Sequence, residues 1–402
     1  MAYDAETVTK RTTRTLGNLQ ALEIELSRLL GGWLPGIVDW ETKHAIAQQI
    51  WDCAEDSRRL RTRLWELRAP DPDRDALPRA RGLVARLAAA ANVTELLAGT
   101  HLVLVRAMLE AYRTQLASTH TVYDAPSVPV LRRLIESKET QLAWAERVVG
   151  GACEDEHVQA GVNRWRRYAM DVVASAGGAV GNGPLGDDPV PPPGYQDPLP
   201  FPAARRDDRF VLAFESGPPL IPGDTESEVL YQFANYGAEM QAAETLGSTM
   251  WEVTGMPWEF YHDIARHTMD EARHARLGET RLAELGHQLT DFPHSTTNYA
   301  WRQLMDPLHR YCTLTLVIEA DSFAYKHETY QKHVSRGDHE SAQAVLFDII
   351  DETMHVRWGR RWVPTLMERF GYEAPIDELV RTCRERTRRE SANTLQRQLT
   401  TE

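Results

Sequence analysis

The sequence predicts an all-α protein built as two successive four-helix bundles. Three observations lead there. Apolar residues recur at helical spacing through most of the chain, and no stretch reads convincingly as a strand. A Gly/Pro-rich stretch, residues 176–224, separates an earlier set of helical segments from a later one. The later set carries one signature twice, Asp270-Glu271-Ala272-Arg273-His274 and Asp351-Glu352-Thr353-Met354-His355. A helical glutamate precedes each at nearly equal distance: Glu239 lies 32 residues before Glu271, and Glu319 lies 33 before Glu352.

In chain order, Leu16, Leu19, Leu22, Leu26, Leu29 and Leu30 mark one helical face in residues 5–30. Gly31-Gly32 and Pro35-Gly36 stop that helix. A second is expected over 40–67, and 70–78 reads as a turn-rich connection. Residues 83–120 predict one long or one broken helix; Pro126 and Pro129 punctuate the chain before another over 130–149 and a further one over 154–174. Gly177-Gly178, Gly181, Gly183 and Pro191-Pro192-Pro193 cannot sustain a helix, so 176–224 is expected to separate two domains or wrap over one. The expected domains are then 1–175 and 225–402. In the second, helices are expected over 226–254, 257–285, 299–334 and 339–370. The turns at Gly255-Met256-Pro257 and Gly337-Asp338 make two hairpins joined by one long crossover.

The formal net charge of −13 opposes a grip on nucleic acid, since phosphate binding wants the opposite sign. Arg381, Arg384, Arg386, Arg388 and Arg389 read as the solvated face of a last helix. Cys53, Cys153, Cys312 and Cys383 have no CxxC spacing, which fits a reducing cytoplasm without a disulfide framework. Glu6, Lys10 and Arg11 precede any apolar run, so no signal peptide is expected, and no run approaches a membrane span. The expectation is a soluble cytoplasmic protein.

The two halves also resemble each other. Setting Trp258 over Trp40 matches, without a gap, His262 with His44, Asp270 with Asp52, Arg281 with Arg63 and Glu284 with Glu66. Glu271 then falls on Cys53 and His274 on Asp56. Setting Glu319 over Arg106 places Glu352 on Glu139 and His355 on Leu142. The N-terminal half therefore reads as a degenerate bundle that has lost its metal ligands. Arg106 is expected to supply the positive charge among its remaining carboxylates.

In the later half the chemistry is explicit. On a helix, Glu at i and His at i+3 project from one face, about 60° apart. Four carboxylates and two imidazoles aimed into one bundle form the ligand set of a dinuclear metal site. Glu271 and Glu352 are expected to bridge, His274 and His355 to bind one ion each, and Glu239 and Glu319 to be the outer carboxylates. Glu244, on the same helix as Glu239, is the alternative outer ligand. Iron suits this oxygen and nitrogen set, with manganese as the substitute. Asp270 is expected to orient His355 and Asp351 to orient His274, since a ligating histidine donates its free N–H to an acceptor.

Glu-Met-Gln-Ala-Ala-Glu (239–244), Asp-Glu-Ala-Arg-His (270–274), Ile-Glu-Ala (318–320) and Asp-Glu-Thr-Met-His-Val-Arg-Trp-Gly-Arg-Arg-Trp (351–362) resemble the ferritin-like diiron carboxylate superfamily. The likeness covers residues 226–370 and is strongest to rubrerythrin-like proteins and tRNA hydroxylases, with a string also similar to bacterial multicomponent monooxygenases. It implies tandem ferritin-like bundles and an enzyme that activates dioxygen at a carboxylate-bridged diiron centre, with O2 as cosubstrate, an electron donor and a small organic substrate to be hydroxylated or N-oxygenated. A ferroxidase and a tRNA-base hydroxylase are the alternatives, the last opposed by the acidic total. A homodimer is expected. A radical-forming ribonucleotide reductase subunit would carry Tyr where this chain has Gly278, and there is no CxxC of the rubrerythrin kind. Related arylamine N-oxygenases use an extra His one turn before a bridging Glu, though in the second motif. That makes His267, one turn before Glu271, a candidate seventh ligand, and Asp348 holds the corresponding place before Glu352. Ser322 and Phe323, one turn beyond Glu319, are expected to line the oxygen pocket.

Overall fold

The structure, a computed structural model, describes residues 5–69 and 73–401. Among the described residues its regular secondary structure is helical apart from two two-residue strands. It divides into two compact units: Met1–Leu30 with Gln49–Leu199, and Gly31–Gln48 with Pro200–Glu402.

The first unit holds most of α1 (Ala5–Trp33) and of α2 (Trp40–Glu66), then α3 (Asp73–Leu87), α4 (Val93–Gly99), α5 (Arg106–Ser118), α6 (Ser127–Ala152) and α7 (Glu156–Ser175). Residues 73–78, expected as part of a turn, open α3, with Pro78 inside it; residues 70–72 of that expected turn lie outside the described ones. The segment 83–120 is a broken helix. Asn92 caps α4 by accepting from the Glu95 N–H, and a π-helical stretch, Thr100–Val105, leads into α5. Helix α5 packs on α6, and α4 on α6 and α7, around fully buried Leu19, Leu22, Leu26, Leu134 and Trp165.

The second unit contains α8 (Thr225–Gly237), α9 (Met240–Glu252), α10 (Trp258–Glu284), α11 (Thr297–Gln303), α12 (Pro307–Cys312), α13 (Glu319–Arg336), α14 (His339–Phe370) and α15 (Ile376–Thr401). The single helices expected over 226–254 and 299–334 are both interrupted. The first breaks at Ala238-Glu239; the second is α11, α12, a π-helical stretch Thr313–Ile318, and α13. Gly337, at φ 72°, ends α13 in the left-handed conformation that a side chain would disfavour, and Asp338 caps α14. Helix α10 packs on α8, α9 and α14, and α13 on α14. Gly278 admits no side chain, because a Cβ there would lie 2.4 Å from the Phe233 carbonyl oxygen.

The Gly/Pro-rich stretch is neither wholly linker nor wholly wrap. Its first part packs on the first unit: Arg79 donates to the carbonyls of Ala176 and Gly178, and Tyr195 stacks on Trp165 with centroids 4.9 Å apart. Its second part packs on the second unit, where Tyr299 and Gln303 donate to the Phe201 carbonyl and Leu212–Ala213 (β1) pairs in parallel with His294–Ser295 (β2). The first unit also gives up part of the expected 1–175 domain. Residues 31–48 cluster with the second unit, because Lys43 is ion-paired with Glu244 and Trp40 packs on Phe210 and His294.

Corresponding contacts recur inside the two units. Helices α2 and α10 both run from Trp-Glu to Glu over 27 residues. Arg63 near the end of α2 donates to Ser127 (2.8 Å), Asp124 (2.6 Å) and Glu66 (2.7 Å); Arg281 donates to Ser341 (3.0 Å), Asp338 (2.9 Å) and Glu284 (2.9 Å). The π-helical stretches end immediately before Arg106 and before Glu319. Matching Ser127 with Ser341 and Asp124 with Asp338 shifts the alignment of α6 on α14 by one residue. Lys138, not Glu139, then corresponds to Glu352, and Gln141, not Leu142, to His355. Burial agrees: Lys138 and Gln141 face the interior, whereas Glu139 is exposed.

Arg106 is not the internal cation either. It is half exposed and paired with Glu146. The buried positive charge is Lys138, 2.6 Å from Glu23 and 3.3 Å from Asp56, with Cys53 and Gln141 in reach and Tyr112 donating to Glu23 at 2.7 Å. No helix among the described residues is long and apolar enough to cross a membrane.

Candidate metal centre

Four stretches of the second unit bring acids and imidazoles to one interior. Helix α10 presents His267, Glu271 and His274 at i, i+4 and i+7, one helical face. Helix α14 presents Asp348, Glu352 and His355 likewise, α13 begins at Glu319, and Glu239 sits in the break between α8 and α9. All of these are buried except Glu239, which is partly exposed.

Two groups of ligand atoms form, each with its atoms within 4.8 Å of one another: His267, Glu271, Glu319 and His355; and Glu239, Glu271 and His274. Glu271 belongs to both. One of its oxygens is 3.2 Å from His267 Nε2 and 3.4 Å from His355 Nδ1, the other 3.8 Å from His274 Nδ1. Glu319 lies 2.9 Å from His267 Nε2, and Glu239 lies 3.1 Å from His274 Nδ1. The far nitrogens of two imidazoles face aspartates: His274 Nε2 is 3.1 Å from Asp351 and His355 Nε2 is 3.4 Å from Asp270. Arg273 pairs in turn with Asp351, and Arg266 with Asp270 at 2.9 Å. The rings of His267 and His355 stack with centroids 3.6 Å apart.

Glu352 lies outside both groups, unlike the bridge expected of it. Ser322 donates to one of its oxygens at 3.0 Å and Lys326 pairs with the other. Lys326 also lies 2.8 Å from Asp348, which accepts from Tyr236 at 2.7 Å and stands 3.6 Å from His274 Nδ1. Glu244 is elsewhere altogether. Five residues beyond Glu239 means about 140° round the helix axis. There its carboxylate is paired with Lys43 and with Arg206 at 2.7 and 3.1 Å, all buried. Phe323 is half buried and does not line the cavity beside the cluster.

The electrostatics are those of a site short of positive charge. Asp270, Asp351, Asp348 and Glu352 are ion-paired with arginine or lysine, while Glu239, Glu271 and Glu319 sit against imidazoles and feel the charge of Lys326 or Arg302 as well. Burial disfavours the His267 imidazolium, yet Glu319 and Glu271 beside it lift its pKa to about 9. Burial likewise opposes ionisation of Asp270, but His355 and Arg266 hold its carboxyl down to about 2. Glu352 is pushed well above the usual range by burial, which outweighs Lys326. Buried Glu239 Oε2, Glu319 Oε2, His274 Nδ1 and His355 Nδ1 have no well-aligned hydrogen-bond partner among the described residues, though such groups are normally satisfied. These atoms all lie in the two groups, so the donor set fits a pair of divalent ions sharing Glu271.

A cavity of about 230 Å³ lies against Glu239, Glu271, Glu319 and Glu352. Buried Arg302 also lines it; burial, against Glu271 and Glu319, lowers its pKa to about 10. A second cavity of about 290 Å³, walled by Tyr231, Tyr236, Tyr325 and Lys326, shares Glu239 and Asn235 with the first. Lys326 and Arg302 were missed from sequence. Lys326 had a signal, since it is two turns from Glu319 on the same face; Arg302, on α11, had none.

The arrangement defines a buried His/Glu cluster that could hold metal. A family described as a protein of unknown function, DUF455, matches residues 219–401, a stretch that includes every residue of the cluster. Neither the curated proteins nor the solved structures compared with the chain give a match.

Proposed function

We propose that the chain is a non-haem diiron oxygenase or oxidase acting on a small organic metabolite, its two units being tandem ferritin-like bundles of which the first has lost its metal. One observation carries the reading: Glu271 is shared by two buried groups of imidazoles and carboxylates, each close enough to hold an ion. Two iron ions, with manganese as the substitute, would supply the electrons that dioxygen takes up. The recurring Arg63 and Arg281 contacts support the tandem arrangement.

The chain's own residues would do the rest. Asp351 and Asp270 orient His274 and His355 so that Nδ1 of each faces the interior. Lys326 and Ser322 hold Glu352 at the cavity wall, and the tyrosine-walled space next to Glu239 would receive the substrate. A space of that size favours an organic substrate over a path for iron alone.

The test is to load the protein with Fe(II) without oxygen, count iron per chain, then admit oxygen with a panel of small aromatic and aliphatic metabolites. Two irons per chain and oxygen uptake that rises with one compound, giving an oxygenated product, are expected. Uptake that only follows ferrous iron would make the protein a ferroxidase. Chains that hold no iron would end both readings.

A further inference from the structure

Helix α14 has an outer face as organised as its inner one. Glu340, Gln343, Leu346, Phe347, Ile350, Met354, Arg357 and Arg360 are exposed, at the three-and-four spacing of a single helical stripe. The middle of the stripe is apolar: Leu346 is 39% exposed, Phe347 47%, Ile350 53% and Met354 40%. The corresponding positions of α6 in the first unit are Arg132, Arg133, Glu136 and Thr140, all exposed, with Arg133 paired to Glu136. An ordinary solvated helix of this design is therefore charged there, and α14 departs from it over about three turns. Contiguous exposed apolar surface of this kind marks an interaction site.

The charges at the two ends say what covers it. The stripe begins acidic, at Glu340, and ends basic, at Arg357 and Arg360. A second α14 laid antiparallel with Ile350 on Ile350 brings Glu340 opposite Arg360, Gln343 opposite Arg357 and Leu346 opposite Met354. The face is thus complementary to itself under a two-fold rotation, the condition for an isologous interface. A parallel pairing would set Arg357 and Arg360 against their own copies.

We propose that α14 is the homodimer interface of this protein, two copies pairing antiparallel about Ile350. The pairing needs neither metal nor substrate, so it stands apart from the reading of the cluster.

Sedimentation velocity on the full-length chain tests it. A species near twice the 45.6 kDa chain mass is expected. Phe347→Glu with Ile350→Glu should give the monomer, with the helical circular dichroism of the native chain showing that it has folded. Glu340→Arg and Arg360→Glu should each weaken the dimer about tenfold or more, and the two together in one chain should restore it. A native chain that stays monomeric, or a dimer indifferent to both the apolar and the charge substitutions, would overturn the proposal. So would failure of the doubly swapped chain to recover.

Discussion

The interiors of the two units hold corresponding positions with opposite solutions. In the second unit, helices bring Glu239, Glu271, Glu319, His274 and His355 together and leave several of their atoms without a partner. In the first, Cys53 and Asp56 stand where α10 has Glu271 and His274, and Lys138 and Gln141 stand where α14 has Glu352 and His355. In the first interior Lys138 stands between Glu23 and Asp56, an ion pair supplied by the chain itself. One carries its cation covalently, and the other has a His/Glu cluster that could hold a metal ion. The difference teaches that a helical interior can hold buried acids when one side chain delivers the compensating charge.

That comparison can be broken most forcefully at Lys138. Lys138→Met should cost about 3 kcal/mol of unfolding free energy, because Glu23 and Asp56 lose their buried partner. Adding Glu23→Gln should recover much of it; denaturant unfolding of both variants gives the figures. If Lys138→Met were as stable as the parent, the first interior would not be held by that charge.

An acid titration sharpens the contrast next. Burial lowers the His101 pKa to about 3, and its ring is hydrogen-bonded to Gln49 and Thr100. Its folded value is therefore below the ordinary one of about 6.5. The stability it carries is full above about pH 6.5 and is lost as pH falls toward 3, about 2 kcal/mol of it by pH 5. His101→Gln should flatten that part of the pH-stability profile. An unchanged slope between pH 6.5 and 5 would count against a neutral buried imidazole.

At the candidate metal centre, Lys326→Met should release Glu352 and Asp348 and remove a neighbouring positive charge. Binding of Mn(II) or Co(II), followed by calorimetry, should tighten by roughly tenfold, about 1.4 kcal/mol. Weaker binding would make Lys326 part of the ligand scaffold rather than a competitor. The smallest effect belongs to the outer face of the first unit, where Arg133→Ala should change stability by under about 0.5 kcal/mol despite its ion pair with Glu136.

Much of this was legible in the sequence. The twin Asp-Glu-x-x-His strings and their upstream glutamates told that Glu239, Glu271, His274, Glu319 and His355 meet, because helical spacing fixes direction as well as secondary structure, but not that Glu352 would stand aside on Ser322 and Lys326. The Asp351–His274 and Asp270–His355 pairings follow from the same geometry. What was illegible depends on packing between segments. Aligning Glu352 with Glu139 satisfied residue identity, yet only the Ser127 and Ser341 contacts fix the register, and they select Lys138. Arg106 looked like the internal cation because a linear alignment ignores exposure. Glu244 follows Glu239 by five residues in one expected helix, and only the positions of Lys43 and Arg206 reveal where its carboxylate is spent.

The stretch Thr313–Ile318 has a last consequence. A π-helical turn carries about one residue more than an α-helical one, so everything beyond it is rotated by about 100° relative to an unbroken helix. The wide turn takes up that surplus residue, so the helix before it and Glu319 after it keep one common inward face. Removing one amino acid between 313 and 318 should let the stretch relax to ordinary pitch with the carboxylate still aimed inward, whereas the full count wound at ordinary pitch would turn it away by about 100°. A change of pitch thus absorbs a residue that an ordinary helix could accommodate only by turning one acidic group aside.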